Sequence, residues 1–185
     1  MKKKILLVLG DPNSINSELV FKTLNKLSKT EKKKIIILAN LNLLKSQFKR
    51  LNYKLSIKEI FNIKQKENSD KIKVLNIGTK LKFKNPFNLK LKERTKYIKN
   101  SLDIAHNIAS NNKDVGILNC AIDKKIFKEK RIGVTEYLAH CCKIKNNSEV
   151  MLITSNKISV CPITTHIDLK NISKNITKKN LKLLF

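Results

Sequence analysis

Short blocks of continuous apolar residues alternate with longer blocks in which apolar residues recur every third or fourth position. This pattern predicts buried strands followed by amphipathic helices. Lys3 to Leu9 is the first apolar block and runs into a turn signal at Gly10-Asp11-Pro12-Asn13. A helix is expected next, with Ser14, Asn16 and Ser17 as candidate N-caps, Glu18 in the first turn, and Leu19, Val20, Leu24 and Leu27 on the apolar face. Lys34 to Ala39 predicts a second strand, and Leu41, Leu44, Phe48 and Leu51 predict a second helix, giving a βαβα opening.

The middle is less regular. Tyr53, Leu55 and Ile57 alternate, residues 65 to 70 are polar, Ile72 to Ile77 predicts a strand, and Phe83 to Leu91 reads as a loop around Pro86. Tyr97, Ile98, Leu102, Ala105, Ile108 and Ala109 line one side of a helix from about Glu93 to Ser110, and Asp114 to Ile122 returns to strand. After a charged connection, Thr135 is the expected N-cap of a helix that packs Tyr137, Leu138 and Cys141 inward. Glu149 to Thr154 and Ile158 to Thr164 form an expected hairpin, so the sheet should be mixed. Thr177 is expected to cap a last helix bearing Leu181, Leu184 and Phe185. The fold class is α/β, a mixed sheet with flanking helices.

The candidate chemistry is concentrated where the last apolar strand meets Thr164-Thr165-His166-Ile167-Asp168. A neutral imidazole at a strand's end can face a ligand crevice, although the default reading of a lone histidine is a hydrogen-bonded structural residue. Zinc pairs from Cys161 with His166, or His140 with Cys141, lack a second pair at suitable spacing. Four cysteines without C-x-x-C spacing point to free thiols in a reducing compartment, hence the cytoplasm. No apolar run approaches the roughly 20 residues of a membrane span.

The formal charge of +26 raises the question of nucleic acid, since dispersed cations attract phosphate. Arginine occurs only at 50, 94 and 131, and the lysines are scattered among abundant Asn and Ile. AT-rich coding with lysine on solvated faces accounts for that bias, and no specific nucleic-acid partner is expected.

Four stretches, in order, resemble the 4-hydroxythreonine-4-phosphate dehydrogenase family of pyridoxal phosphate biosynthesis. Gly10-Asp11-Pro12-Asn13-Ser14-Ile15-Asn16-Ser17-Glu18 is similar to G-D-P-A-G-I-G-P-E, and Asn119-Cys120-Ala121-Ile122-Asp123-Lys124 to T-G-P-I-N-K. Gly133-Val134-Thr135-Glu136-Tyr137-Leu138-Ala139 is similar to G-H-T-E-Y-L-A, and Val160 to Leu169 to a segment ending T-T-H-L-P-L.

The resemblance implies a two-lobed fold of the isocitrate and isopropylmalate dehydrogenase type, of which residues 1–185 would be the N-terminal portion. It implies a homodimer that uses NAD and a divalent metal (zinc, magnesium or cobalt) to oxidise and decarboxylate a phosphorylated hydroxy amino acid. By resemblance His166 is one of three metal-binding histidines, and Val134 and Thr135 occupy substrate-contacting positions. Lys124 is the candidate for phosphate binding or proton transfer, with a solvated surface role as the alternative.

The departures from the family pattern matter. Ser14, Asn16 and Ser17 replace two glycines and a proline, which costs freedom wherever the loop needs positive φ. Val134 replaces a histidine and cannot hydrogen-bond. The other metal histidines and much of the dinucleotide site are expected C-terminal to the segments seen here, so the chain alone is expected to turn over poorly. The competing expectation is a non-catalytic remnant that binds a phosphorylated small molecule or a partner protein. If the site exists, Thr135 and His166 should share a crevice.

Overall fold

The computed structural model describes residues 4–65, 70–127, 133–144, 149–164, 167–178 and 181. They fall into two units, 1–132 and 133–185. In the first unit, β1 (Lys4–Val8), β2 (Ile35–Ala39), β3 (Ile57–Ile60), β4 (Ile72–Asn76) and β5 (Val115–Asn119) form one five-stranded sheet in the order β3-β4-β2-β1-β5. Every pairing in it is parallel.

Parallel strands covered on both faces need continuous apolar runs, which is what β1 and β2 carry. Leu6, Val8, Ile36, Ile37 and Leu38 are completely or almost completely buried, each contributing about 1.5–3 kcal/mol of transfer free energy. On one face Leu7, Leu9, Ile37, Ala39 and Val74 pack with Val20 and Leu24 of α1 (Asn16–Lys26) and Leu44 and Phe48 of α3 (Leu41–Arg50). The other helix, α4 (Leu91–Ser110), contacts β1, β2 and β5 and buries Tyr97, Ile98, Leu102 and Ala105. Leu19, expected on the apolar face of α1, is instead exposed.

Two local expectations change. A short helix α2 (Lys29–Lys34) precedes β2, started by a capping box in which Ser28 Oγ accepts from Glu31 N–H and the Glu31 carboxylate accepts from Ser28 N–H. Its signal, Ser28-Lys29-Thr30-Glu31, was present in the sequence. The α1 N-cap is Ile15, without a side-chain bond; Ser14 turns back to donate to Asp11 O, and Asn16 and Ser17 lie buried in the first helical turn.

The second unit has α5 (Val134–Cys141), a two-stranded antiparallel ladder of β6 (Ile153–Thr154) and β7 (Ser159–Val160), and α6 (Ile172–Asn175). The expected hairpin is therefore present as its own ladder, separate from the parallel sheet. Gly133, not Thr135, caps α5: its N–H donates to Glu136 Oε2 at 2.8 Å, a bond that places Thr135 at the second helical position. Most of the expected last helix lies outside the described residues.

Candidate functional site

Strand order reverses at β1, since β2 lies on one side and β5 on the other. At such a point the loops leaving the carboxyl ends of adjacent strands diverge, and α/β proteins bind ligands in the crevice between them. Here those loops are residues 9–15 and 120–124, the segments of the first two family-like motifs. The main chain stays paired beyond the strands: Cys120 N–H donates to Val8 O at 2.9 Å and Asp11 N–H to Ala121 O at 3.0 Å. Gly10 has φ +68°, and a Cβ there would lie 2.5 Å from Ala121 O and 2.8 Å from Cys120 O. Only glycine meets both conditions.

The crevice is filled by a side chain. Asn16 Nδ2 donates to Leu9 O at 2.8 Å and Ala121 O at 2.7 Å, with Asp11 O at 3.4 Å. One carboxamide thus ties both loops together. Below it, Gln47 Nε2 donates to Pro12 O and Pro86 O, both at 2.9 Å, and Asn13 exchanges two 2.9 Å bonds with the Leu89 backbone. The Ser17 hydroxyl is buried without a protein partner among the described residues and lines a cavity of about 10 Å³ with Gly10, Asp11 and Tyr97, the size of one water.

Charge at this edge is organised around Arg94 of α4. Its guanidinium grips Asp11 with two bonds, Nε to Oδ1 at 3.0 Å and Nη2 to Oδ2, and reaches Asp123 Oδ2 at 3.4 Å. The hydrogen bond to Asp11 raises the Arg94 pKa above its already high value. Asp123 is held below the ordinary carboxylate range, first by the Lys125 backbone N–H and then by Arg94. Burial pushes the Cys120 thiol up, and pushes the wholly enclosed Tyr97 hydroxyl up against an opposing hydrogen bond from the Asn40 backbone.

Lys124 begins the 3-10 turn Lys124–Phe127 that follows Asp123 and is exposed. In the second unit, Val134 is half-buried at the first position of α5 and Thr135 is exposed. His166 and Thr165 lie outside the described residues, so the expected crevice shared by Thr135 and His166 is not described. His106 sits beside Ser110 on α4, with Oγ and Nε2 3.2 Å apart, and His140 is exposed on α5. No group of three His, Cys, Asp or Glu among the described residues could hold a metal. Sequence reasoning missed Asn16, Arg94 and Gln47 as organisers of the edge: nothing in a one-dimensional pattern pairs residue 94 with residue 11.

Fold and edge together define a parallel α/β domain whose ligand-type crevice lies at the β1–β5 switch point. The chain belongs to a known family: the model for pyridoxal phosphate biosynthetic protein PdxA matches residues 31–184. It is 29% identical over 182 residues to a 4-hydroxythreonine-4-phosphate dehydrogenase of Sulfurihydrogenibium sp. (strain YO3AOP1), covering 96% of this chain and 54% of that protein. It is 22% identical over 174 residues to the protein of the same name from Erythrobacter litoralis (strain HTCC2594), covering 92% of this chain and 52% of the relative. The fold is similar to that of a putative 4-hydroxythreonine-4-phosphate dehydrogenase from Salmonella typhimurium, with a TM-score of 0.81, 19% identity, and coverage of 100% of this chain and 57% of that one. A Burkholderia phymatum structure of that enzyme gives 0.81, 18%, 98% and 56%. The chain therefore spans about half the length of the relatives it matches. Among the described residues, no helix is long and apolar enough to cross a membrane.

Proposed function

We propose that the chain contributes the N-terminal portion of a 4-hydroxythreonine-4-phosphate dehydrogenase, a cytoplasmic, homodimeric enzyme that uses NAD and a divalent metal. The reaction oxidises the carbinol of 4-phosphooxy-threonine and releases carbon dioxide from the resulting β-keto acid. The observation that carries this reading is the family match over residues 31–184, which takes in Lys124, Val134, Thr135 and His166.

The residues of this chain have definable tasks within that reading. The Asp11–Arg94–Asp123 clasp and the Asn16 carboxamide hold the two loops at the switch point, so that Lys124 leaves a fixed turn. Its exposed ammonium is suited to neutralise a substrate phosphate. Thr135 presents a hydroxyl in the first turn of α5, and Val134 an apolar contact where the family has histidine. Among the described residues no group of three His, Cys, Asp or Glu fits a metal.

Enzyme assays test this reading. The purified 185-residue chain, given substrate, NAD and zinc or magnesium, is expected to show no useful rise in NADH absorbance. A fusion to the remaining length of the Sulfurihydrogenibium relative is expected to turn over, and to lose most of its rate on Lys124→Ala or His166→Ala. Robust turnover by the chain alone, abolished by His166→Ala, would place a complete site in this half. Replacement of a family histidine by Val134 favours one second reading, a non-catalytic binder. A fusion that binds O-phospho-L-threonine but never forms NADH would establish it.

A further inference from the structure

Among the described residues, one buried side-chain oxygen, Ser17 Oγ, has no hydrogen-bond partner in the protein. A stranded hydroxyl is costly, because it has given up its bonds to water and received none in return. Ser17 is 3% exposed and stands at the second position of α1. The cavity of about 10 Å³ beside it is lined by Leu9, Gly10, Asp11, Asn16, Gln47 and Tyr97, among others.

That lining suits water. A buried water needs about two to four polar partners, and Ser17 Oγ supplies one. Tyr97 of α4, 2% exposed, supplies another. Its hydroxyl receives the Asn40 backbone N–H, keeps its own hydrogen to donate, and lies within electrostatic reach of Asp11. Backbone oxygens on the wall can complete the set: Leu9 O takes Asn16 Nδ2 and Pro12 O takes Gln47 Nε2, and each carbonyl has a second lone pair. A cation is disfavoured, because the first turn of α1 forms part of the wall with the positive end of its dipole, and Arg94 already neutralises Asp11.

We infer that the cavity holds one slowly exchanging water that bridges the Ser17 hydroxyl of α1 to the Tyr97 hydroxyl of α4, linking the two helices across the carboxyl edge of the sheet. The site is this chain's own. The resembling motif has proline at position 17, and proline carries no hydroxyl to bind a water, so the bridge comes with the substitution. The inference does not rest on the dehydrogenase reading.

The test uses the full 185-residue chain. A crystal structure should show a water about 2.7–3.0 Å from both Ser17 Oγ and the Tyr97 hydroxyl. In solution, magnetic relaxation dispersion of the water signal should count one fewer long-lived water in Ser17→Val, whose second methyl fills the space. Ser17→Ala keeps the space and removes one partner, so it should raise the unfolding constant about 2–10-fold. That effect should shrink in a Tyr97→Phe background, where the bridge is already broken. An unchanged water count in Ser17→Val, or a lower unfolding constant for Ser17→Ala, means a dry hydroxyl and overturns the inference. Strictly additive effects of the two substitutions overturn it as well, since the two hydroxyls then share no water. So does a stability that rises with sodium or ammonium in the wild type and not in Ser17→Val, which assigns the cavity to a cation.

Discussion

Arg94→Leu should be strongly destabilising at the carboxyl edge of the sheet. It leaves the Asp11 carboxylate, whose side chain is 4% exposed, without its cation. Removing one partner of a buried pair costs about 3–5 kcal/mol because the remaining charge is stranded. Two features pull the value down here: Arg94 is itself 15% exposed, so water can enter, and Asp11 Oδ1 keeps the Asn13 N–H at 2.9 Å. We therefore expect about 3 kcal/mol. With a urea slope of about 2 kcal/mol/M for a small domain, the unfolding midpoint falls by about 1.5 M.

The double variant Asp11→Asn, Arg94→Leu supplies the decisive comparison, because it removes the stranded charge together with its partner. It should recover about half of the loss, giving a coupling of at least about 1.5 kcal/mol in a double-mutant cycle, larger by whatever Asp11→Asn costs alone. Asp123→Asn should cost less than about 1 kcal/mol, since that oxygen is 3.4 Å from Arg94 and 39% exposed. A midpoint shift below about 0.3 M for Arg94→Leu, or strict additivity in the cycle, would show that Asp11 is solvated and that the clasp does not hold the loops.

Other substitutions address separate parts of the edge. Gly10→Ala meets the Ala121 and Cys120 carbonyls and a positive φ at once, so it should destabilise by about 2–4 kcal/mol in urea unfolding; an unchanged midpoint would refute the close approach. Tyr97 is buried with its pKa raised, so it stays neutral in the folded state while an unfolded tyrosine ionises near about pH 10. Its contribution is complete below that pH and is lost as pH rises above it, by about 1.4 kcal/mol per unit. Thermal unfolding between pH 9 and 11 should show this slope, and Tyr97→Phe should flatten it. Lowered carboxyl pKa values at Glu31, Asp70 and Asp123 act in the opposite sense: their contributions are present above the ordinary carboxylate range and are lost as pH falls through the lower folded values.

Much of this fold is legible because parallel strands buried on both faces must be continuously apolar. β1 and β2 stand out within Lys4–Val8 and Ile35–Ala39 for that reason, and β4 (Ile72–Asn76) more weakly, because Lys73 interrupts its apolar residues. β3 is harder to read: Ile57-Lys58-Glu59-Ile60 is an edge strand with only Ile60 fully buried, so its composition resembles a loop. The hairpin was readable from apolar runs at turn spacing, but its failure to join the parallel sheet was not, because strand partners are chosen by tertiary packing. The polar edge was least legible. Asp11 and Gly10 were visible as a turn, whereas the bonds that fix that turn come from residues 16, 47, 89, 94 and 121, and long-range pairing leaves no periodic trace.

The replaced glycines show how a motif can diverge without strain. Substituting Ser14 and Asn16 for glycine would be costly only if those positions needed positive φ, yet the non-glycine residues with positive φ among those described are Asn52 and Lys143. Gly10, which does need it, has been kept. The new side chains are absorbed differently: Ser14 closes the turn onto Asp11 O, and Asn16 fills the gap between β1 and β5 with bonds to both loops. A glycine at 16 would leave Leu9 O and Ala121 O facing each other across space open to solvent or a ligand. Asn16→Gly should therefore open the switch-point crevice at a cost of about 1–3 kcal/mol, from two lost hydrogen bonds and a flexible residue in the first helical turn. Faster amide exchange at Asp11, whose N–H donates to Ala121 O, would register the opening. Unchanged exchange there would mean that the main-chain pairing, rather than the carboxamide, holds the two loops closed.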